Sequence, residues 1–500
     1  MRALRPYFAA AALVAACSVP EQSGRPERAT EDRPGPPNET APPAPIGPLA
    51  SPRQLAWQEL GFYGFVHFNM NTFTGREWGD GTESPRLFAP TELDCRQWAR
   101  VAKDAGMRGI ILTAKHHDGF CLWPSKFTDH TVANSPWKDG RGDVVRELAD
   151  ACRESGLLLG LYLSPWDRHS PLYGDSPKYN DFYAAQLEEL LTNYGPVFEV
   201  WWDGACGEGP NGKRQVYDFE RFTEIVRRLQ PEAVIFSDIG PDVRWVGNES
   251  GFAGATCWSF LDTAGFARGL GAPPTKSLNE GDRRGANWIP AECDVSIRPG
   301  WYYHAEQDGA VKSLEELAEI WDRSWGANGS LLLNLPVDRR GLVHENDARR
   351  LVELKQWVDR TYGTDVARSA AARATSTRVG GVSGDEFGPE RARDGDPATY
   401  WAAEDGAHTP SLELELPAAT SFDRVVLREP IALGQRVARF ALSARVDGAW
   451  RPLAAGTTIG NRRVVRFPSL SADAVRLTIL ESRATPCLAS FELAQAPNTK

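Results

Sequence analysis

Between residues 54 and 362, short apolar runs alternate with longer amphipathic stretches. The apolar runs at 62–68, 109–114, 157–163, 197–202, 233–237, 255–260 and 330–335 predict strands. The stretches at 94–105, 144–155, 181–194, 217–229, 313–325 and 346–361 predict helices. Glycine follows two of these helices, in Ala105-Gly106 and Ser155-Gly156, where a left-handed C-terminal cap is expected. Strands and helices that alternate over such a length build a parallel sheet, and polar clusters at the strand ends favour a TIM-like (β/α)8 barrel. A doubly wound sheet is the alternative, weakened because no glycine-rich phosphate loop opens the first helix. The interval 261–288 reads as loop, which leaves one barrel position irregular. After residue 362 the helical period disappears. Two-residue alternation at 412–416, 425–427, 439–446, 463–467 and 474–479 predicts a β-sandwich.

The N-terminus has a different character. Arg2 and Arg5 precede an apolar stretch, Tyr7 to Ala16, too short to span a bilayer, and Val14-Ala15-Ala16-Cys17 resembles a bacterial lipobox. Cleavage there would leave a lipidated Cys17, and Ser18 after it suits an outer-membrane lipoprotein facing the periplasm or the cell surface. Residues 21–49 are rich in proline, glycine and charge and read as a stiff, disordered tether. The expected organisation is a signal peptide at 1–17, a tether at 18–50, a barrel at 51–365 and a sandwich at 366–500. The net charge of −10 argues against a nucleic-acid partner, which needs a basic face. Seven scattered cysteines beyond Cys17, with no CxxC pair, argue against a zinc knuckle and read as small buried thiols.

Candidate chemistry gathers where the predicted strands end. One strand runs into Trp201-Trp202-Asp203-Gly204, an acid delivered beside indole rings. Another runs into Lys115-His116-His117-Asp118-Gly119-Phe120, and Gly119 lets the chain bend so that both histidines face one ligand. His116, His117 and Asp118 could form part of a metal site, but neither the H-x-H nor the H-x-x-x-H spacing occurs, so hydrogen bonding to hydroxyls fits better. His67 ends the first strand, Glu77-Trp78 follows in a loop, and Tyr162 ends the third strand. Trp245-Val246-Gly247-Asn248-Glu249 supplies a second carboxylate in a later loop. Two carboxylates and several aromatic faces suit glycoside hydrolysis, in which one acid attacks the anomeric carbon and the other protonates the leaving oxygen.

Phe65-Val66-His67-Phe68, Lys115-His116-His117-Asp118-Gly119-Phe120, Tyr162-Leu163-Ser164-Pro165-Trp166 and Trp201-Trp202-Asp203-Gly204 resemble, in order, the family 29 glycoside hydrolases, the α-L-fucosidases. The likeness extends to Leu333-Asn334-Leu335-Pro336. It implies a (β/α)8-like barrel with a C-terminal sandwich and retaining hydrolysis of a fucosylated glycan without a cofactor. Carried over residue by residue, it makes Asp203 the nucleophile and assigns His67, Glu77, Trp78, His116, His117, Tyr162 and Trp201 to the fucose pocket, with Trp78, Trp201 and Phe120 as candidates for its apolar wall. The stretch ending in Glu249 resembles the subfamily that cleaves α-1,3/1,4-linked fucose, which implies Glu249 as the acid/base. Trp288 to Asp294 also resembles that subfamily and makes Glu292 the rival, ahead of Glu208 and Glu220. A broader fucosidase, a silent glycan-binding protein and a metal-dependent hydrolase remain the alternatives. Ala392 to Trp401 resembles the opening of discoidin-like (F5/8 type C) sandwiches, many of which bind sugars and some of which hold a structural calcium.

Overall fold

The computed structural model describes residues 41–380 and 385–497. Eight parallel strands close into a barrel: β1 (Phe62–His67), β2 (Gly109–Lys115), β3 (Leu158–Leu163), β4 (Val197–Trp201), β5 (Val234–Ser237), β6 (Val243–Trp245), β7 (Ala291–Ser296) and β8 (Gly329–Pro336). Each strand pairs with its sequence neighbours, and β8 returns to β1 with Gly64 opposite Leu333. Helix α1 (Pro52–Leu60) precedes β1, and its Trp57 reaches into the barrel interior. Helices α2 (Cys95–Asp104), α3 (Val144–Ser155), α4 (Ser176–Asn193), α5 (Phe219–Leu229), α6 (Leu314–Arg323) and α7 (Glu345–Tyr362) supply the outer layer. The predicted glycine cap of α3 is present: Gly156 is left-handed and its N–H reaches Arg153 and Cys152 carbonyls.

Two strands depart from the expectation. The run at 255–260 does not enter the barrel; only Phe260–Leu261 is extended, paired with Asn287–Trp288 in a small separate sheet. The barrel position is filled instead by β6, whose three residues follow β5 through a short turn, and by β7. Strand β7 shows no apolar run in the sequence because its alternate positions hold Glu292 and Asp294.

The C-terminal domain is antiparallel. Strands β9 (Ala371–Ala374), β10 (Ser411–Arg428), β11 (Val437–Val446), β12 (Ala449–Thr457) and β13 (Arg463–Ser482) lie in the order β9-β10-β13-β11-β12, and β14 (Ser490–Ala494) joins β10. The predicted runs at 412–416 and 425–427 are two halves of one strand, interrupted by a register shift between Glu415 and Thr420. Trp401, Leu412, Phe422, Phe440, Leu477 and Phe491 are among the residues of this domain's own buried core. The domain grips the end of the barrel where the strands begin. Arg424 bonds Asp322 at the end of α6 (3.2 Å), and Asn461 bonds the Gln58 carbonyl of α1 (2.9 Å) and Asn328 just before β8 (2.7 Å). Residues 41–50, expected as the end of a free tether, instead run along this domain: Ile46 N–H bonds the Leu433 carbonyl (3.0 Å), and Arg436 bonds that of Ala44 (2.7 Å). Proline leaves these backbone carbonyls without competing local donors, so arginines of the sandwich capture them. Residues 1–40, with Cys17 and most of the expected tether, lie outside the described residues.

Candidate active site

Strand alternation sets the site in layers. Along β4, Glu199, Trp201 and the next inward position, Asp203, share one face, so the barrel axis meets a carboxyl, an indole and a second carboxyl in turn. Trp202 points the other way and packs on Phe219 of α5 with a ring separation of 5.3 Å. Tyr63, Phe65 and His67 climb β1 in the same manner, as do Glu292 and Asp294 on β7. The middle layer is aromatic: Trp201 stacks on Phe236 (4.1 Å between centroids) and on Tyr162 (5.2 Å).

The mouth is a cavity of about 270 Å³. Its lining includes Asp203, Glu249, His116, His117, Glu77, Trp78 and Trp201, with Asp238 and Asp294 as further acids. Asp203 accepts the Tyr162 hydroxyl on Oδ2 (3.0 Å) and the Ala205 N–H on Oδ1 (2.7 Å). Glu249 is exposed at the rim and accepts the Trp301 indole N–H at 3.1 Å. Glu77 accepts the Trp301 N–H (2.9 Å) and pairs with His304 (2.7 Å), which ties its loop to the segment after β7. Trp78 stands at the rim with its ring edge-on to His117 and Trp166. His67 lies just below, its Nδ1 at 2.7 Å from Asn334 Oδ1.

The paired histidines reach one cavity because β2 ends in an irregularity. The register slips between Thr113 and Lys115, Lys115 turns outward to Asp167 (3.1 Å) and Gln186 (2.9 Å), and His116 and His117 follow inward. Gly119 then turns at φ 80°, where a Cβ would lie 2.5 Å from Asp167 Oδ1. Asp118 is not part of the group: it is buried facing Asn69 and the Phe120 N–H. Phe120 is also buried away from the cavity, against Phe88 and His130, because the turn at Gly119 carries it behind the site. Trp78 and Trp201 line the cavity, and Phe65, Phe236, Trp245 and Trp301 take the place of Phe120 in its apolar wall. Among the described residues, one group of His, Cys, Asp or Glu side chains converges closely enough to hold a metal ion, namely His116, His117 and Asp203, with atoms within 4.8 Å of one another.

Burial governs the electrostatics. It pushes the His67 imidazole down to about 3 and those of His116 and His117 below their ordinary value, so all three are neutral near pH 7. Burial, and then the Asp203 charge, raise Asp238 to about 6. Asp294 is raised well above the carboxylate range by burial and by Glu292 and Glu249, although the Trp245 indole donates to it at 2.9 Å. Gly204 makes the approach of Asp238 feasible, since a Cβ there would meet its Oδ2 at 1.9 Å.

The other acids named from sequence lie elsewhere. Glu292 is wholly enclosed below the cavity, where it accepts the Trp201 indole (2.7 Å) and the Tyr63 hydroxyl. Glu208 is exposed in the loop after β4, and Glu220 sits on the first turn of α5 beside a different surface cavity. Asp238 is a site acid that residue-by-residue reading misses, although it follows an apolar run just as Asp203 does; no such signal marks Asp294.

Residues 56–363 match the family model described as α-L-fucosidase. The chain belongs to that family. This α-L-fucosidase, a glycosidase of family 29, continues into a segment at 371–493 that matches the F5/8 type C domain. It is 45% identical over 454 residues to α-L-fucosidase 1 of Arabidopsis thaliana, covering 90% of this chain and 88% of that one. Among solved structures it is similar to the Ruminococcus gnavus GH29 fucosidase in complex with fucose, with a TM-score of 0.85 and 30% identity over 92% of this fucosidase and 97% of that chain.

Proposed function

We propose that the enzyme is a retaining exo-α-L-fucosidase in which Asp203 is the nucleophile and Glu249 the acid/base. The observation that carries this reading is that both carboxyls line one cavity while Glu292, the rival acid, lies enclosed beneath it. Asp203 attacks the anomeric carbon and forms a glycosyl-enzyme as Glu249 gives its proton to the leaving oxygen. Glu249 then takes a proton from water, which displaces Asp203 with a second inversion. The Tyr162 hydroxyl and the Ala205 amide hold the attacking carboxylate in place. His67, Glu77, His116 and His117 bind ring hydroxyls, while Trp78 and Trp201 cover the apolar face. Treatment with a 2-fluoro-fucosyl donor, followed by digestion, tests the assignment. The label belongs on the peptide carrying Asp203, and a label on any other residue overturns it.

The substrate in this reading is α-1,3/1,4-linked fucose on branched glycans. The exposed position of Glu249 at the rim supports it, because an acid placed there meets the leaving sugar rather than the fucose ring. Lewis-type trisaccharides should be cleaved faster than 2′-fucosyllactose or an aryl fucoside. Rapid turnover of the aryl fucoside would instead assign broad specificity. The N-terminal pattern supports export as a lipoprotein anchored through Cys17, tested by incorporation of labelled palmitate that is lost in Cys17→Ala.

A further inference from the structure

We infer that Ser164 is a positioning residue that fixes His117 as a hydrogen-bond acceptor for the substrate hydroxyl next to the anomeric carbon. Ser164 follows β3 and is completely buried. Its Oγ lies 2.7 Å from His117 Nδ1 and 2.7 Å from the Trp166 carbonyl oxygen. A carbonyl only accepts, so the single hydroxyl proton is given to Trp166. The remaining lone pairs of Oγ then accept from the imidazole, which puts the His117 proton on Nδ1. The Nε2 atom of the neutral ring is therefore a bare lone pair.

That lone pair faces Asp203. The distance from Nε2 to Asp203 Oδ2 is 3.7 Å, beyond hydrogen-bond reach, and Oδ2 already accepts from Tyr162. Two acceptors thus stand side by side at the cavity wall, and among the described residues none donates to His117 Nε2. A ligand must bring the donor. Resting on Asp203 as the atom that bonds C1, the group that falls beside it is the hydroxyl on C2. Hydrogen bonds to that hydroxyl strengthen as the oxocarbenium-like transition state forms. His67 is locked by the same logic. The amide of Asn334 donates to Ser296 (2.9 Å) and to the Trp301 carbonyl (2.8 Å), so its oxygen accepts the His67 Nδ1–H.

The test uses the full chain with 15N-labelled histidine. The His117 signals are identified by their loss in His117→Gln. Nδ1 should give a protonated, pyrrole-type shift and Nε2 an unprotonated, pyridine-type shift throughout the pH range of activity. Ser164→Ala should mix the two tautomers and lower kcat/KM on an α-L-fucoside roughly tenfold, chiefly through kcat, as expected for about one hydrogen bond of transition-state stabilisation. On the 2-deoxy fucoside the same substitution should cost less than about threefold, and Ser164→Thr, which keeps the hydroxyl, should recover the wild-type spectrum. An unprotonated Nδ1 or a doubly protonated ring in the wild-type spectrum, or equal losses on both substrates, overturns the proposal. The spectrum needs no turnover, so it separates failure of this inference from failure of Asp203 as nucleophile, which the fluoro-sugar label reports.

Discussion

The floor and the mouth of the barrel each hold a pair of carboxyls, under opposite conditions. At the floor, Glu199 and Glu292 are completely enclosed and face one another, with the Trp57 indole on Glu199 (2.9 Å) and Trp201 and Tyr63 on Glu292. Burial raises both, Glu292 from the ordinary 4.5 to about 7, and two facing charges in that space would repel, so the pair resists ionising at neutral pH. At the mouth, Asp203 and Glu249 border an open cavity and each accepts from a fixed donor. Glu199 and Asp203 are one strand's inward positions four residues apart. The same functional group on the same face therefore serves structure at one level and chemistry at the next, and access decides which.

The contrast can be broken at the mouth first. Asp203→Ala should lower kcat on a Lewis trisaccharide by roughly 10⁴ or more while leaving the melting temperature within about 2 °C, because the acid removed is half-buried at the edge of an open cavity and not packed in the core. Activity close to wild type would erase the distinction. Glu249→Gln should lower kcat/KM by about 10²–10⁴ on substrates with a sugar leaving group and much less on an activated aryl fucoside, whose leaving oxygen needs no proton. Equal losses on both substrates would remove Glu249 from the acid/base role.

At the floor the effect should be smaller and should appear in stability. The folded chain holds more protons there than the unfolded one. Stability from this pair is therefore full below about pH 4.5 and declines as pH rises toward 7. Glu292→Gln still offers an oxygen to Trp201 and cannot ionise, so it should flatten that decline by about 1–3 kcal/mol in urea titrations at pH 5 and pH 8. Its kcat should stay within about tenfold of wild type. A loss of activity as large as that of Glu249→Gln would return Glu292 to the catalytic pair.

How much of this was legible in the chain follows from the same burial. Strands β1 to β5 and β8 announce themselves because apolar residues dominate both of their faces, and a single inward acid such as Glu199 on β4 does not break the run. Strand β7 does not, since the floor acid and Asp294 occupy its inward positions, and β6 is too short to show a period. In the sandwich, β12 is exposed or half-buried along its length and shows no apolar face to read. Of the motif residues, Glu77, Trp78, His116, His117 and Trp201 line the mouth, and His67 and Tyr162 lie beneath it. Phe120 was misplaced because a left-handed glycine one residue earlier reverses the chain, which residue spacing alone does not reveal.

Position 204 carries a consequence for anyone who would reshape this pocket. With hydrogen in place of a side chain, it lets two acids from neighbouring strands crowd the same rim; a single methyl there would collide with Asp238 at 1.9 Å. A mutagenesis library can vary the outer walls freely, but that codon is an anchor point, since even alanine would drive apart the carboxyls whose mutual approach gives the rim its shape.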